Sequence, residues 1–338
     1  MGFSWNIIGQ ENIINNLIDL REKNALPNSF IFTGLDGIGK STLALEFAKF
    51  LNCKGNQDCD SCSRLENQNH PDLISIDTDS QCSDKSCCKT SSGNIVKNCV
   101  INENVISSVK FNPLIGNYKV IVINEADKLS KVSYESILKT LEEVNGKVLI
   151  ILLVKNINNI PDTIISRCQL WKLKNISKEE LKEKLLLKFP DKHNDINQII
   201  SFGSPTIGES IEMLNDPIFF EERQSCIERV INILNSSNSK KLEYSKDLVN
   251  AFRKDKERLF FELNIWKNLF HEILISKNLE DLINNFSMME DLISISKIKI
   301  KKNVDIISKT EKMILHNVNP TLCMDNMLLS METKWLFQ

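Results

Sequence analysis

Residues 31–42 read IFTGLDGIGKST, a glycine-rich run set between an apolar segment and a helix-forming one. Gly34, Gly39, Lys40 and Ser41 satisfy the pattern G-x-x-x-x-G-K-[ST], which carries meaning when a strand leads into it and a helix leaves it. Ser29-Phe30-Ile31-Phe32-Thr33 is a short apolar, β-prone run, and TLALEFAKFL (42–51) is rich in helix formers. Glycines let backbone N–H groups close around a polyphosphate, and the helix N-terminus behind them adds positive dipole character. Gly34, Gly37, Gly39, Lys40, Ser41 and Thr42 are therefore the candidate phosphate-binding residues. Lys40 reaches the β- and γ-phosphates in this reading, and the Ser41 hydroxyl takes a position on Mg²⁺. The bland alternative is a glycine-containing turn with an incidental Lys-Ser, which the two matching flanks disfavour.

Upstream of this stretch, QENIINNLIDLREKN (10–24) spaces Ile13, Ile14, Leu17, Ile18 and Leu20 as a helical apolar face. Trp5, Ile7, Ile8 and Gly9 precede it. They either pack on an adenine ring, which makes Ile8 a candidate nucleotide contact, or staple the chain to the core. Downstream, Tyr118–Ile123 reads as a fully buried strand ending in Asn124-Glu125-Ala126-Asp127. A hydrophobic strand ending in acids is where a nucleotide hydrolase places its second magnesium-side group. Asn124 keeps an oxygen there but loses the negative charge, while Glu125 can polarise a water. The competing reading makes Asn124 or Asp127 the N-cap of the following helix.

A helix over 133–145 and a second buried strand, Lys147–Val154, complete a strand-loop-helix-strand unit, so the fold class is α/β with a parallel sheet. Beyond it, Thr163–Gln169 contains Arg167, to which sequence physics alone gives no role. Ser177 and Glu180 in SKEELKEKLLLKF form a capping-box pattern. From about residue 216 the chain reads as helix upon helix, and the stripe Leu259, Phe260, Leu263, Ile265, Trp266, Leu269, Phe270 is a bundle core.

The 338 residues suffice for about two or three domains. A net charge of −2 argues against a chain-wide basic coat. Cysteine usage is uneven: Cys53, Cys59, Cys62, Cys82, Cys87, Cys88 and Cys99 account for seven of ten. MGFSWNIIGQ lacks the basic and apolar regions of a secretory signal, so a cytoplasmic location and metal-ligating or free thiols are expected. No apolar run is long enough to span a membrane. Cys59-Asp60-Ser61-Cys62 with Cys53 supplies three ligands of a structural zinc site. The fourth is His70 or a cysteine of the polar insertion 82–99: Cys82, Cys87, Cys88 or Cys99. Reduced thiols without metal are the alternative.

WNIIGQE (5–11), GLDGIGKST (34–42), CDSCSRLENQNHPD (59–72), VIVINEADKLS (120–130), TIISRCQ (163–169), FGSP (202–205) and NVNPTLCMDNMLL (317–329) together resemble the clamp-loader ATPases of the AAA+ class, in their bacterial DNA polymerase III delta-prime branch. The resemblance implies an AAA+ nucleotide-binding domain over 1–172 with a zinc module and insertion at 53–99. A helical lid over 173–215 and an all-helical collar that oligomerises over 216–338 follow. It implies loading of a sliding clamp on primed DNA beside gamma/tau and delta subunits, with ATP or ADP, Mg²⁺ and structural zinc as cofactors. DNA contact is then weak and through backbone phosphates. It also gives Arg167, in Ser166-Arg167-Cys168, the role of a finger reaching the ATP site of the neighbouring subunit.

Departures from the family pattern qualify that picture. Asn56 stands where members usually carry a cysteine. His70-Pro71-Asp72 matches a motif whose histidine is not a ligand, which favours an insertion cysteine. Asn124 replaces the magnesium-binding aspartate, and Thr206-Ile207-Gly208 lacks the sensor arginine expected after FGSP. Val154-Lys155-Asn156 departs from a hydroxyl-bearing pattern, leaving Asn156 as the candidate contact there. The resulting expectation is a subunit that binds nucleotide and turns it over slowly or not at all. The competing readings are an active gamma/tau-type ATPase and a structural subunit that binds no nucleotide.

Overall fold

The structure, a computed structural model, describes residues 3–55, 57, 59–83, 95–144, 146–201, 206–254, 256–275, 296–316 and 318–331. Asn56, Cys87, Cys88, the FGSP stretch and Asn317 lie outside the described residues. The chain divides into two compact units, residues 1–177 with 206–208 and residues 178–205 with 209–338. The stretch expected as a separate lid, 173–215, is thus shared between them.

The first unit is built on a parallel five-stranded sheet in the order β2-β3-β4-β1-β5. Its strands are β1 (Ser29–Thr33), β2 (Leu73–Ile76), β3 (Lys119–Ile123), β4 (Val148–Val154) and β5 (Gln169–Lys172). Every residue of β1, β3 and β4 is buried, which is why these three read as unbroken apolar runs. Strand alternation sends Ile31, Ile121, Ile123, Ile150 and Leu152 to one face and Phe30, Phe32, Val120, Val122, Leu149 and Ile151 to the other. α1 (Glu11–Glu22) and α2 (Lys40–Asn52) cover the second face. The helical segment α4 (Asn98–Ile101), continued by a π-type turn over Asn102–Ile106 and by α5 (Ser107–Val109), covers the first together with α6 (Lys131–Glu143). α3 (Asp60–Glu66) carries the CxxC pair, and α7 (Asp162–Ile165) precedes β5.

α6 starts two residues earlier than its sequence pattern suggests, because Ser130 caps it by accepting the Ser133 N–H at 3.1 Å. Neither Asn124 nor Asp127 is that cap. The second unit is all-helical: α8 (Lys178–Lys188), α9 (His193–Ser201), α10 (Ile207–Asn215), α11 (Pro217–Leu234), α12 (Asn238–Lys254), α13 (Lys256–Ile275), α14 (Lys297–Leu315) and α15 (Pro320–Ser330). The first two residues of α10 count with the α/β unit. Leu259, Leu263, Ile265, Trp266, Leu269 and Phe270 are buried in the helical core. Asn319 caps α15 by accepting the Thr321 N–H at 3.0 Å, with Pro320 at its first position, so Asn319-Pro320 is a helix-start signal.

Candidate phosphate site, arginine and cysteine cluster

The phosphate loop leaves β1 and enters α2. Gly34 donates to the Val154 carbonyl at 3.1 Å, tying the start of the loop to the end of β4. Gly37 (φ +71°) and Gly39 (φ +96°) adopt left-handed backbone that any side chain would strain. Lys40 opens α2, and its ammonium donates to the Gly34 carbonyl at 2.6 Å and the Leu35 carbonyl at 2.8 Å. It lies 3.8 Å from Asp36 Oδ1. Burial lowers the Lys40 pKa below the ordinary lysine value, against the opposing charges of Asp36 and Asp127. Ser41 and Thr42 are exposed on the first turn of α2. Gly208 approaches so closely that it donates to the Gly37 carbonyl at 2.7 Å, and a Cβ on it would stand 2.8 Å from Gly37 Cα.

The N-terminal entry divides its tasks. Trp5 packs against Phe3 and Phe50, with centroids at 5.4 and 5.2 Å, at the end of α2 remote from the loop. Ile8 is buried, and Ile7 is the side chain beside Gly39.

At the end of β3, Asn124 donates to the Ser75 hydroxyl at 3.1 Å. Glu125 has φ +48°, unusual for a residue with a side chain, and its carboxylate pairs with Lys128 at 2.5 Å. Asp127 comes closer to the loop, accepting the Lys155 N–H at 3.4 Å and raising the Lys40 pKa. Lys155, just past β4, forms an ion pair with Asp36. Asn156 accepts the Asn158 N–H at 3.0 Å and so caps the turn over Ile157–Asn159.

Arg167 sits at the opposite end of the strands, beside the start of β1. Its carbonyl accepts the Ser29 hydroxyl at 2.7 Å, and Ser29 opens β1 whereas Gly34 follows its end. One strand length, about 16 Å at 3.3 Å per residue, separates the Arg167 backbone from the loop of its own chain. The guanidinium is exposed. It is steered by Glu142, with Nε at 2.8 Å and Nη2 at 2.5 Å, and by the Thr163 carbonyl at 2.9 Å.

Cys53, Cys59 and Cys62 bring their sulfurs within 4.8 Å of one another. Burial raises the Cys59 thiol pKa, but hydrogen bonds from the Lys54 and Cys62 backbone and the Cys62 and Cys53 thiols outweigh it and bring the thiol to about 7. Burial and its thiol neighbours push Cys62 well above the usual range. Cys82 and Cys99 pack instead with the core on the α4–α6 face of the sheet. Among the described residues they do not join the three-thiol group. His70 does not join it either. Its Nδ1 accepts the Asp72 N–H at 3.1 Å, so Nε2 carries the proton toward Ser61 Oγ at 3.0 Å, and neither nitrogen is open to a metal. Asp72 in turn accepts the backbone N–H groups of Leu114, Ile115 and Gly116 at 2.6, 2.8 and 2.8 Å. His70-Pro71-Asp72 is thus a bracket joining α3 to the loop before β3.

The family described as "DNA polymerase III, delta subunit" matches residues 9–177. The chain belongs to this family. The delta' subunit of Bacillus subtilis DNA polymerase III is 23% identical over 344 residues, covering 98% of this chain and 99% of that protein. The tau/gamma subunit of Haemophilus influenzae is 27% identical over 256 residues, 72% of this chain and 35% of that protein. The gamma/tau subunit of Mycoplasma genitalium is 27% identical over 330 residues, 92% of this chain and 50% of that protein. The chain therefore spans a third to a half of the length of these gamma/tau relatives. Among solved structures, a DNA polymerase III gamma subunit-related protein from Thermotoga maritima aligns at TM-score 0.46 and 16% identity, covering 93% of this chain and 97% of that one.

In this delta-family chain, Asp36 and Lys155 beside the phosphate loop were given no role by the sequence, and Asp127 was weighed only as part of the strand-end acidic group or as a helix cap. Asp36 received no role from the loop motif, whose pattern leaves that position unspecified. The available signal was the pairing of β1 with β4, which places the residues after Thr33 beside those after Val154.

Proposed function

We propose that this chain is a delta-prime-like subunit of the DNA polymerase III clamp loader that holds a nucleotide and lends an arginine to a neighbour. The observation that carries this reading is the separation of two functions across one sheet. The phosphate loop stands at the carboxyl ends of the strands, and Arg167 stands before β5 at their amino ends. An arginine about 16 Å from its own loop meets only a phosphate held by another molecule. Arginine fingers supplied in this way stabilise transition-state charge in phosphoryl transfer.

The loop residues fit a polyphosphate. Gly37 and Gly39 allow backbone N–H groups to converge, Lys40 supplies charge at the β/γ position, and Ser41 is exposed where a magnesium ligand is needed. When bound, Mg²⁺ neutralises charge on the phosphates. Asn124 adds no negative charge to hold it, and Thr206-Ile207-Gly208 adds no cation after FGSP. Each loss removes charge stabilisation worth a few kcal/mol of barrier, about 3 kcal/mol for one oriented group. Glu125, paired with Lys128, is the remaining candidate to polarise a water. ATP or ADP is thereby held rather than consumed.

Three convergent thiols suit zinc, a soft-ligand structural ion, and Cys53, Cys59 and Cys62 would hold it, with Cys87 or Cys88 of the insertion as the candidate fourth ligand because Cys82 and Cys99 pack in the sheet core. The reading includes lid and collar roles for 173–215 and 216–338. Its partners are gamma/tau and delta subunits, the sliding clamp and, through the assembly, primed DNA. No described helix is long and apolar enough to cross a membrane. A second reading, an active gamma/tau-type ATPase, is favoured by the 27% identity to those relatives against 23% to the delta' protein.

Equilibrium titration of the purified chain with fluorescent ADP, alongside its ATPase rate, separates the readings. We expect binding that Lys40→Ala abolishes, with negligible turnover. Robust turnover by the chain alone, abolished by the same substitution, would establish the second reading instead.

A further inference from the structure

β1 and β4 pair so that Thr33 lies beside Val154, and the residues after both strands emerge at one edge of the sheet. Two ammonium groups meet there with the Asp36 carboxylate between them, while Asp127 accepts the Lys155 backbone N–H from the side at 3.4 Å. The Lys155 ammonium pairs with Asp36 Oδ2, and the Lys40 ammonium lies 3.8 Å from Asp36 Oδ1. Lys40 has three N–H donors, and its neighbours in the loop are the Gly34 carbonyl, the Leu35 carbonyl and this carboxylate. The side chains of Asp36 and Lys155 are 68% and 59% exposed, so their pairing contributes little to folding. A carboxylate between two loop cations offers what a phosphate offers, negative charge and oxygen acceptors, at the place where phosphate oxygens are read.

We propose that Asp36 is a built-in counter-anion of the phosphate loop. It neutralises Lys40 and Lys155, gives them up when a nucleoside di- or triphosphate binds, and so sets the affinity of the site. This inference rests on the reading that the loop binds nucleotide. Binding is then an exchange of one anion for another, and the displaced carboxylate remains close to the incoming phosphates as a like charge. Removing that charge while keeping the side-chain shape strengthens binding, more for the triphosphate, which carries the greater charge. Lys155, released from Asp36, becomes a second cation available to the bound phosphates, so its removal weakens binding.

The test is titration of the full chain with fluorescent ADP and ATP in the presence of magnesium, for wild type, Asp36→Asn, Asp36→Ser, Lys155→Met and Lys40→Met. Thermal unfolding without nucleotide checks that each variant folds. The expected result is about tenfold tighter binding for Asp36→Asn and Asp36→Ser, equal to about 1.4 kcal/mol, with unchanged unfolding temperature, and several-fold weaker binding for Lys155→Met. Binding by the Asp36 variants with none detectable in wild type supports the inference as well. Unchanged or weaker binding in both Asp36 variants, while Lys40→Met abolishes binding, overturns the counter-anion role and leaves the nucleotide site standing. Absence of binding in wild type and both Asp36 variants overturns both.

Discussion

Replacing Asp72 with asparagine changes one atom of a fully buried side chain and is expected to destabilise the α/β unit severely. The carboxylate accepts three backbone N–H bonds, one on Oδ1 from Leu114 at 2.6 Å and two on Oδ2 from Ile115 and Gly116 at 2.8 Å. Hydrogen bonds to a charged acceptor contribute about 1.5–3 kcal/mol each, and a buried donor left without a partner costs about 1–3 kcal/mol. The amide keeps one accepting oxygen, which can serve the Oδ2 pair in weaker, uncharged form. Its NH₂ then faces the Leu114 N–H, donor against donor. The loss of one charged bond and the weakening of two sum to about 3–5 kcal/mol. At about 2–4 °C per kcal/mol for a unit of this size, the melting temperature falls by about 10 °C.

Circular dichroism melting at pH 7.5 reads this directly, and a drop of less than about 2 °C would refute the assignment of those three bonds. The same geometry fixes an acid limb. Burial raises the Asp72 pKa, but the three N–H groups outweigh it and hold the carboxyl below its usual value. Its contribution is therefore complete above the unfolded value, about 3.9, and is lost as pH falls through the lower folded one. Burial also lowers the His70 pKa. The unfolded state takes up that proton first, so stability already declines as pH falls below about 6.5. Asp72→Asn should lose the deeper limb and keep the decline from His70.

Two other outcomes are expected. Gly208→Ala places a methyl group 2.8 Å from Gly37 Cα and 2.9 Å from its carbonyl oxygen. Neither backbone atom can swing aside, so a cost of about 1–3 kcal/mol is expected together with weaker nucleotide binding; an unchanged melt and affinity would show that the contact is not made. The purified chain should contain about one equivalent of zinc by elemental analysis, with Cys59→Ser losing it and a chelator lowering the melting temperature of wild type. Metal content that is the same in wild type and Cys59→Ser would remove the cysteine group as its site.

The centre of the fold was open to reading from the chain because β1, β3 and β4 are buried on both faces and leave no polar position to blur the pattern. The edge strands were not. β5, Gln169–Lys172, alternates half-buried with exposed residues over four positions, and β2, Leu73–Ile76, has one buried residue. Such short segments become strands through the neighbour they pair with, which local sequence does not specify. The phosphate loop was legible because its chemistry is local. The pairing of Asp36 with Lys155 joins residues 119 positions apart, so only the β1–β4 register could have shown it. His70 shows the limit of spacing: the neighbouring cysteines offered it as a zinc candidate, the family resemblance set it aside, and Ser61 and the Asp72 N–H occupy both its nitrogens. Arg167 had no reading from residue physics, since the phosphate it would serve belongs to another chain.

In the proposed function this subunit holds nucleotide while its arginine acts on a neighbour's. The most direct measurement is the ATPase rate of the clamp loader reconstituted with gamma/tau and delta partners and either wild-type chain or Arg167→Ala, with assembly followed by size-exclusion chromatography. Fingers of this kind contribute about 10³–10⁵ in rate at the site they serve. The expected result is therefore an assembled complex whose turnover falls by the whole share of that site. A complex that assembles with Arg167→Ala and hydrolyses ATP at the wild-type rate would contradict the account.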